Sequence, residues 1–263
     1  MDRTFFIFSF ALIFSIAAAY NADASSALQF RAKDFSGGTW NAVGGGKMLV
    51  SHPQTVGWGL PVKSGGVVWF SGAGAGAVVS PLEFAFDDTN LVTSVYAVVI
   101  CEATTPLATL VSVPCEVLIK SDEPVDVFFT KQNDTQTARM FETEFMGLTN
   151  SVSINGVATA RIVPGMKSQL VEIRFEEPCM RNEIFIGGSA ATPRWQRQWR
   201  GGICELLLFD GSLTGAQANA VKRYLSAKCK LSLPTESDDA VIPILRALGI
   251  DDGGVFATVV SVK

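Results

Sequence analysis

One segment of this sequence combines aromatic and planar polar side chains, Pro193 to Trp199 (PRWQRQW). Sugar rings present apolar C–H faces that can stack on indole rings, and the amide and guanidinium groups between the two tryptophans can bind hydroxyl groups. Two further tryptophans stand in glycine-rich stretches. The alternative is that these indoles fill the core, as we expect for Trp69. The candidate ligand-binding residues are Trp195, Arg197, Trp199, Trp40 and Trp58.

Groups suited to catalysis are sparse. Glycoside hydrolysis needs two carboxylates about 5–9.5 Å apart, and the nearest approach is Glu142 and Glu144, which share one face of a strand-like run. Exposed carboxylates on a solvated face are the alternative interpretation. His52 is the only histidine, and no G-x-S-x-G motif accompanies it. The sequence therefore predicts no catalytic residue and no serine or cysteine hydrolase.

Zinc and nucleotide sites are not predicted either. A single histidine and the absence of a C-x-x-C pair argue against zinc. The glycine-rich stretches near residues 44–47 and 72–76 lack the spacing of phosphate-binding loops. The net charge is −4 and the basic residues are scattered, which argues against a nucleic-acid partner.

Five cysteines leave the disulfide pattern open, since two bridges with one thiol left over allow about 15 arrangements. We favour Cys101 with Cys115, because both lie on consecutive strand-like runs that can neighbour each other. Buried free thiols are the alternative.

The N-terminal residues indicate the compartment in which we expect the protein to act. Residues 5–19 are an apolar run after Met1-Asp2-Arg3, which is typical of a cleavable signal peptide with cleavage after Ala19 or Ala24. The run is shorter than the roughly 20 residues of a spanning helix, and no later stretch is apolar enough. We therefore expect a secreted protein without a membrane span.

Asn133 begins an N-glycosylation sequon.

The rest of the chain must position the candidate residues, and residues 27–209 consist of short β-like runs separated by turn residues. Asn155-Gly156 between two such runs predicts a tight hairpin, because both residues tolerate positive φ. With so many strands, we predict an all-β fold built as a two-sheet antiparallel sandwich.

One helix is predicted near the end, from Thr214 to Lys228, with a capping box between Thr214 and Gln217. Beyond it, residues 234–263 are expected to form an acidic linker, a short amphipathic segment (VIPILRALGI) and a terminal strand from Val255 to Val262. Residues 25–233 would then be the sandwich domain.

A family resemblance follows from an ordered series of motifs. Ile186-Gly187-Gly188, then the strand Gly202 to Asp210, then the helix with Tyr224-Leu225-Ser226-Ala227-Lys228 resemble the closing section of laminin-G-like jelly rolls in the concanavalin A-like lectin/glucanase superfamily. The resemblance implies a jelly-roll topology. It also implies a core position for Trp199 and makes calcium the expected cofactor, if there is one, with Asp87 and Asp88 as candidate ligands.

By fold analogy, we expect a secreted, non-catalytic binding or adhesion module whose partner is an extracellular glycan or a surface protein. The alternatives are a glycoside hydrolase or polysaccharide lyase of the same fold, and a structural surface protein whose final strand joins an assembly.

Overall fold

The computed structural model describes the following parts of the chain: residues 26–51, 59–70, 79–85, 91–102, 108–112, 115–119, 127–131, 151–158, 162, 165, 167–180, 184–188, 199–233 and 241–256. Within them the fold is all-β, as predicted, with two antiparallel sheets and helices near the C-terminus.

Sheet 1 has β8 near its centre and is ordered β13-β12-β14-β8-β16-β6-β5, with β1 also paired to β16. Its strands are β1 (Ala27–Arg31), β5 (Val62–Ser64), β6 (Val67–Trp69), β8 (Leu91–Cys101), β12 (Ser151–Ile154), β13 (Val157–Ala158), β14 (Ser168–Met180) and β16 (Gly201–Phe209).

Sheet 2 is ordered β11-β10-β9-β15-β7-β4-β3-β2. Its strands are β2 (Phe35–Ser36), β3 (Thr39–Asn41), β4 (Met48–Ser51), β7 (Leu82–Phe84), β9 (Ala108–Ser112), β10 (Cys115–Ile119), β11 (Val127–Lys131) and β15 (Phe185–Ile186). A 3-10 helix over Ala32–Asp34 joins β1 of sheet 1 to β2 of sheet 2.

The main core lies between the two sheets. In β8, Val95, Ala97 and Val99 belong to this core, whereas Tyr96 and Val98 belong to a second cluster on the opposite face. Burial of both faces explains why the strand is an almost unbroken apolar run in the sequence. Phe30, at the centre of the main core, contacts the ring of Trp40 edge-on at 6.0 Å between centroids.

The predicted hairpin is present between β12 and β13. Asn155 has φ 53° and Gly156 has φ 76°, the left-handed values that a two-residue type I′ turn requires. The Asn155 side chain also accepts a hydrogen bond from the Leu170 N–H of β14 at 2.9 Å. This hydrogen bond fixes the turn to β14 of sheet 1.

Two helices cover the outer face of sheet 1. Helix α1 (Gly215–Cys229) begins after Thr214, whose hydroxyl accepts from the Gln217 N–H at 3.2 Å while the Gln217 side chain accepts from the Thr214 N–H at 2.8 Å. The predicted capping box is therefore confirmed. Helix α2 (Val241–Ala247) forms within the predicted amphipathic segment, and its Pro243 stands in the first turn, where no intrahelical donor is needed.

The C-terminal residues form part of this outer layer. Val241, Leu245, Leu248 and Ile250 pack in the same cluster as Leu207 of β16 and Tyr224 of α1. The strand predicted to start at Val255 does not begin there. Val255 and Phe256 lie in a turn in which the Val255 N–H bonds the Asp252 carbonyl at 3.1 Å, because apolar packing on the second cluster replaces strand pairing for these two residues. Residues 257–263 lie outside the described parts.

Among the helices of the described residues, none has the length and apolar character needed to cross a bilayer.

Candidate functional site

The segment with the predicted recognition residues, 189–198, lies outside the described residues, between β15 of sheet 2 and β16 of sheet 1 in the sequence. It leaves β15 of sheet 2 through Gly187-Gly188 and returns through Trp199 into β16 of sheet 1. The Trp199 N–H donates to the Gly187 carbonyl at 3.1 Å. The described residues that flank the segment are therefore hydrogen bonded to each other, and we refer to this contact as the loop base.

Two glycines that flank the segment, Gly187 and Gly201, are closely packed against neighbouring residues. Gly187 has φ 79°, and a Cβ on it would stand 2.1 Å from the Phe70 ring. On the other side, a Cβ on Gly201 would stand 1.9 Å from the Ile100 carbonyl oxygen. Only glycine allows these approaches, so the residues on both sides of the segment pack closely against Phe70 and against Ile100 of β8.

Trp199, whose backbone N–H donates this hydrogen bond, has its side chain in the core. Its side chain is 0% exposed and belongs to the core between the sheets, the core position that we expected from the resemblance. Its indole N–H has no hydrogen-bond acceptor among the described residues. Trp199 therefore anchors the loop and presents no face to a ligand.

Trp40 is likewise 0% exposed, and its indole N–H donates to the Arg31 carbonyl at 2.7 Å. As a candidate ligand platform Trp40 is thus corrected to a core residue, because its aromatic contacts with Phe30 and Phe35 leave no open ring face. Trp69 is buried, as expected.

The remaining predicted site residues lie outside the described parts, so their roles stay predictions. They are Trp195 and Arg197 in the loop, Trp58, Asp87, Asp88, Asn133, His52, Glu142 and Glu144. Within the described ranges no three histidine, cysteine or acidic side chains come together as metal ligands would.

A buried carboxylate lies under helix α1. Glu205 of β16 is 1% exposed, and its Oε1 accepts from the Tyr224 hydroxyl and from the Gln29 amide, each at 2.6 Å. Its Oε2 forms an ion pair with the Lys228 ammonium. Lys228 also donates to the Tyr224 hydroxyl at 2.6 Å. The four side chains compensate the cost of placing a charge in the apolar layer between sheet and helix.

The acidity of Tyr224 follows from this arrangement. Burial, and then the negative charge of Glu205, raise the pKa of Tyr224 far above its usual value. The hydroxyl therefore remains protonated at any physiological pH and is a permanent hydrogen-bond donor to Glu205. The group is suited to holding a structure together and not to accepting protons in a reaction.

The same network reaches the C-terminal segment. Gln29 donates to the Asp251 carbonyl at 3.1 Å and accepts from the Asp251 N–H at 3.0 Å. Arg31 contacts the Asp251 carboxylate at 2.5 Å and Asp34 at 2.8 Å. Strand β1, the segment after α2 and the Glu205 cluster are thus connected by polar contacts.

A second buried carboxylate, Glu172 of β14, lies on the same outer face of sheet 1. It accepts from the Tyr96 hydroxyl at 2.9 Å, from the Ser153 hydroxyl at 3.0 Å and from the Arg174 guanidinium at 2.7 Å. Ser153, Glu172 and Tyr96 are direct cross-strand neighbours. Burial, and then Glu172, raise the pKa of Tyr96 above its usual value, so this tyrosine too is a fixed donor.

Sequence reasoning missed both networks. A signal was present for one of them, because Glu205 is the only charged residue in the otherwise apolar strand GGICELLLF, and a lone charge in such a run implies a buried partner. The partners themselves carried no local signal, since Gln29 is separated from Glu205 by 176 positions.

Four of the five cysteines lie in three distinct places, and the fifth, Cys179, lies near the end of β14. Cys101 is buried at the end of β8 in sheet 1, and burial raises the pKa of its thiol to about 11. Its predicted partner Cys115 starts β10 in sheet 2, so the two strands are not sheet neighbours and a Cys101–Cys115 bond would have to join the sheets. That pairing stays a prediction. Cys204 and Cys229 both pack against the cluster under α1.

A cleft of about 410 Å³ opens beside the C-terminal end of α1. It lies between the start of β14, the β12–β13 turn and the chain that follows the helix. Its lining residues are Asn155, Lys167, Ser168, Cys229, Lys230, Leu231, Ser232 and Leu233.

Comparison with protein-family models, with curated proteins and with solved structures found no match to this chain.

Proposed function

We propose that this protein is a secreted, non-catalytic binding module that recognises an extracellular glycan or surface protein, with residues 189–198 as its recognition loop. The observation that carries the proposal is the hydrogen bond between Trp199 and Gly187 at the loop base, 3.1 Å long. A rigid base reduces the conformational entropy that a loop loses when it binds a partner.

The composition of the loop supports this interpretation. With Trp199 committed to the core, Trp195 is the tryptophan left to contact a ligand, and Arg194 and Arg197 stand beside it in the sequence. Indole and guanidinium groups are enriched among residues that dominate binding energies. Arg200, directly after Trp199, has its carbonyl bonded to the Glu102 N–H at 3.0 Å, which holds the return of the loop against sheet 1.

The buried carboxylates support a non-catalytic role. A glycosidase would need two carboxylates that face one substrate groove. Glu172 and Glu205 lie on strands separated by β8, and each is occupied by its own tyrosine and cation. Neither is available to a substrate.

The test is a glycan-array screen with the labelled protein, repeated with Trp195→Ala and with Trp199→Phe. We expect Trp195→Ala to weaken binding about tenfold or more, as loss of a dominant contact does. Trp199→Phe is the control, because that ring is buried and its N–H has no acceptor among the described residues. Unchanged binding by Trp195→Ala would remove the loop from the proposal. Absence of binding to any glycan, followed by absence of binding to extracellular-matrix proteins, would overturn the binding function.

A further inference from the structure

Two cysteines that are far apart in the sequence, Cys204 and Cys229, pack against the same apolar cluster between sheet 1 and helix α1. Cys204 lies on β16 at the position where the register with β8 shifts between Ile203 and Glu205. Because of this irregularity, both Cys204 and Glu205 contribute to the cluster facing α1. Cys229 is the last residue of the helix.

Contacts made by the neighbouring residues place the two thiols at the same interface between β16 and α1. Lys228 and Glu205, the residues directly beside them in sequence, form an ion pair across the same interface. The Ser168 side chain bonds the Cys204 sulfur, and Ser168 lines the same cleft as Cys229. Both cysteines are reduced in the structure, and both are only partly buried.

We propose that Cys204 and Cys229 form a redox pair that closes to a disulfide, clamping the end of α1 to sheet 1. The inference goes beyond the proposed function and rests on it only for the expectation that the chain reaches an oxidising compartment. This pairing differs from the predicted Cys101–Cys115 bond, and the two can coexist because they share no residue.

The bond forms by thiol–disulfide exchange with a small disulfide. The Cys229 thiolate attacks one sulfur of oxidised glutathione and releases one glutathione thiolate. The Cys204 thiolate then attacks the Cys229 sulfur of this mixed disulfide and releases the second glutathione thiolate. Two protein thiols are oxidised to one disulfide, and one glutathione disulfide is reduced to two thiols.

The environment makes this exchange slow in the folded protein. Burial, and then the nearby Cys204 sulfur, raise the pKa of the Cys229 thiol to about 12, and burial raises the pKa of Cys204 as well. Since the thiolate is the attacking species, few molecules are reactive at neutral pH. We therefore expect the bond to form during folding, while the thiols are still accessible, and to resist reduction once formed.

The test is refolding of the full chain from urea in a glutathione redox buffer, followed by alkylation and non-reducing peptide mapping. We expect a peptide pair joined through Cys204 and Cys229 and an unfolding midpoint about 5–10 °C above that of the reduced protein, since a loop of this length is closed. Cys229→Ser should abolish the linkage and leave Cys204 open to alkylation. Ser232→Ala, in the same cleft, should retain the linkage.

Two results would overturn the pair: alkylation of both Cys204 and Cys229 after oxidative refolding, or linkage of either one to a different cysteine. If Cys229→Ser fails to fold, Cys229→Ala refolded under the same conditions reports the same linkage. Glycan binding by the reduced and oxidised protein is measured separately. Failure of the disulfide therefore leaves the recognition loop untouched, and failure of glycan binding leaves the thiol mapping valid.

Discussion

The side-chain amide of Gln29 pairs with the backbone of Asp251 as a neighbouring strand would: its Oε1 accepts from the Asp251 N–H at 3.0 Å, and its Nε2 donates to the Asp251 carbonyl at 3.1 Å. The same Nε2 donates to Glu205 at 2.6 Å. One buried amide thus holds the segment after α2 on the sandwich and helps to compensate the charge beneath α1.

Replacing this amide should release the C-terminal segment. Gln29→Leu leaves the Asp251 N–H and carbonyl without partners and removes a donor from Glu205, so we expect a loss of about 2–3 kcal/mol in the free energy of unfolding. Hydrogen exchange should rise most over residues 248–253, while the amides of β8 remain protected. An equal rise in β8 would mean that the amide supports the whole fold and not this attachment.

Removing the tyrosine hydroxyl beside each buried carboxylate should lower the free energy of unfolding by different amounts. Tyr224→Phe removes a donor from Glu205, which is 1% exposed, and should cost about 1–3 kcal/mol in unfolding free energy. Tyr96→Phe should cost less, because Glu172 keeps Ser153 and the half-exposed Arg174, where water can replace the lost hydroxyl. Urea unfolding of both variants tests this order, and a larger cost for Tyr96→Phe would contradict it.

The glycine at the loop base should not tolerate a side chain. Gly187→Ala adds a methyl group 2.1 Å from the Phe70 ring at a φ of 79°, which combines overpacking with backbone strain. We expect a cost of about 2–4 kcal/mol. Gly215→Ala is the matched control, since its Cβ would meet nothing within 4 Å and alanine favours a helix. Thermal unfolding that found both variants equally stable would disprove the close packing.

The two fully buried tryptophans should respond differently to phenylalanine. Trp40→Phe removes the hydrogen bond to the Arg31 carbonyl, whereas Trp199→Phe removes an N–H for which the described part of the chain offers no acceptor. We expect Trp40→Phe to cost about 1 kcal/mol more in unfolding free energy than Trp199→Phe. Trp199→Ala should cost about 3–5 kcal/mol, because it leaves a large cavity. Equal costs for the two phenylalanine variants would show that the Trp199 N–H is bonded after all.

The attachment of the C-terminal segment should weaken in acid. The Gly253 N–H, and then Arg31, hold the pKa of Asp251 below its usual value. A lowered folded-state pKa gives a contribution that is present above the unfolded value of about 3.9 and is lost as the pH falls through the folded value. The carboxylate is half exposed, so the contribution should stay below about 1 kcal/mol. Asp251→Asn should therefore be less stable than the native protein at pH 7, and the difference should shrink as the pH falls through the folded-state pKa; a difference that does not shrink in acid would exclude this cause.

Local signals in the sequence predicted the elements well. The Asn155-Gly156 turn and the Thr214–Gln217 capping box each depend on residues no more than three positions apart, and both are present. The alternation of Val95, Tyr96 and Ala97 between two buried faces is also a property of consecutive residues. Among the predicted elements, the terminal strand was wrong at its start, since Val255 and Phe256 lie in a turn and pack against the second cluster.

What the sequence by itself determined, then, is the all-β character, the Asn155-Gly156 turn, the capped helix after Thr214 and the presence of aromatic residues in the segment between β15 and β16. The tertiary structure decided which of these residues remain available. It buried Trp199 and Trp40, which removes both from the candidate ligand-binding residues, and it brought Gln29 to Glu205 and Asp251 across 176 and 222 positions. It also placed Cys204 near Cys229. Such contacts follow from how strands pair and which face a helix covers, and residue spacing along the chain carries no information on either.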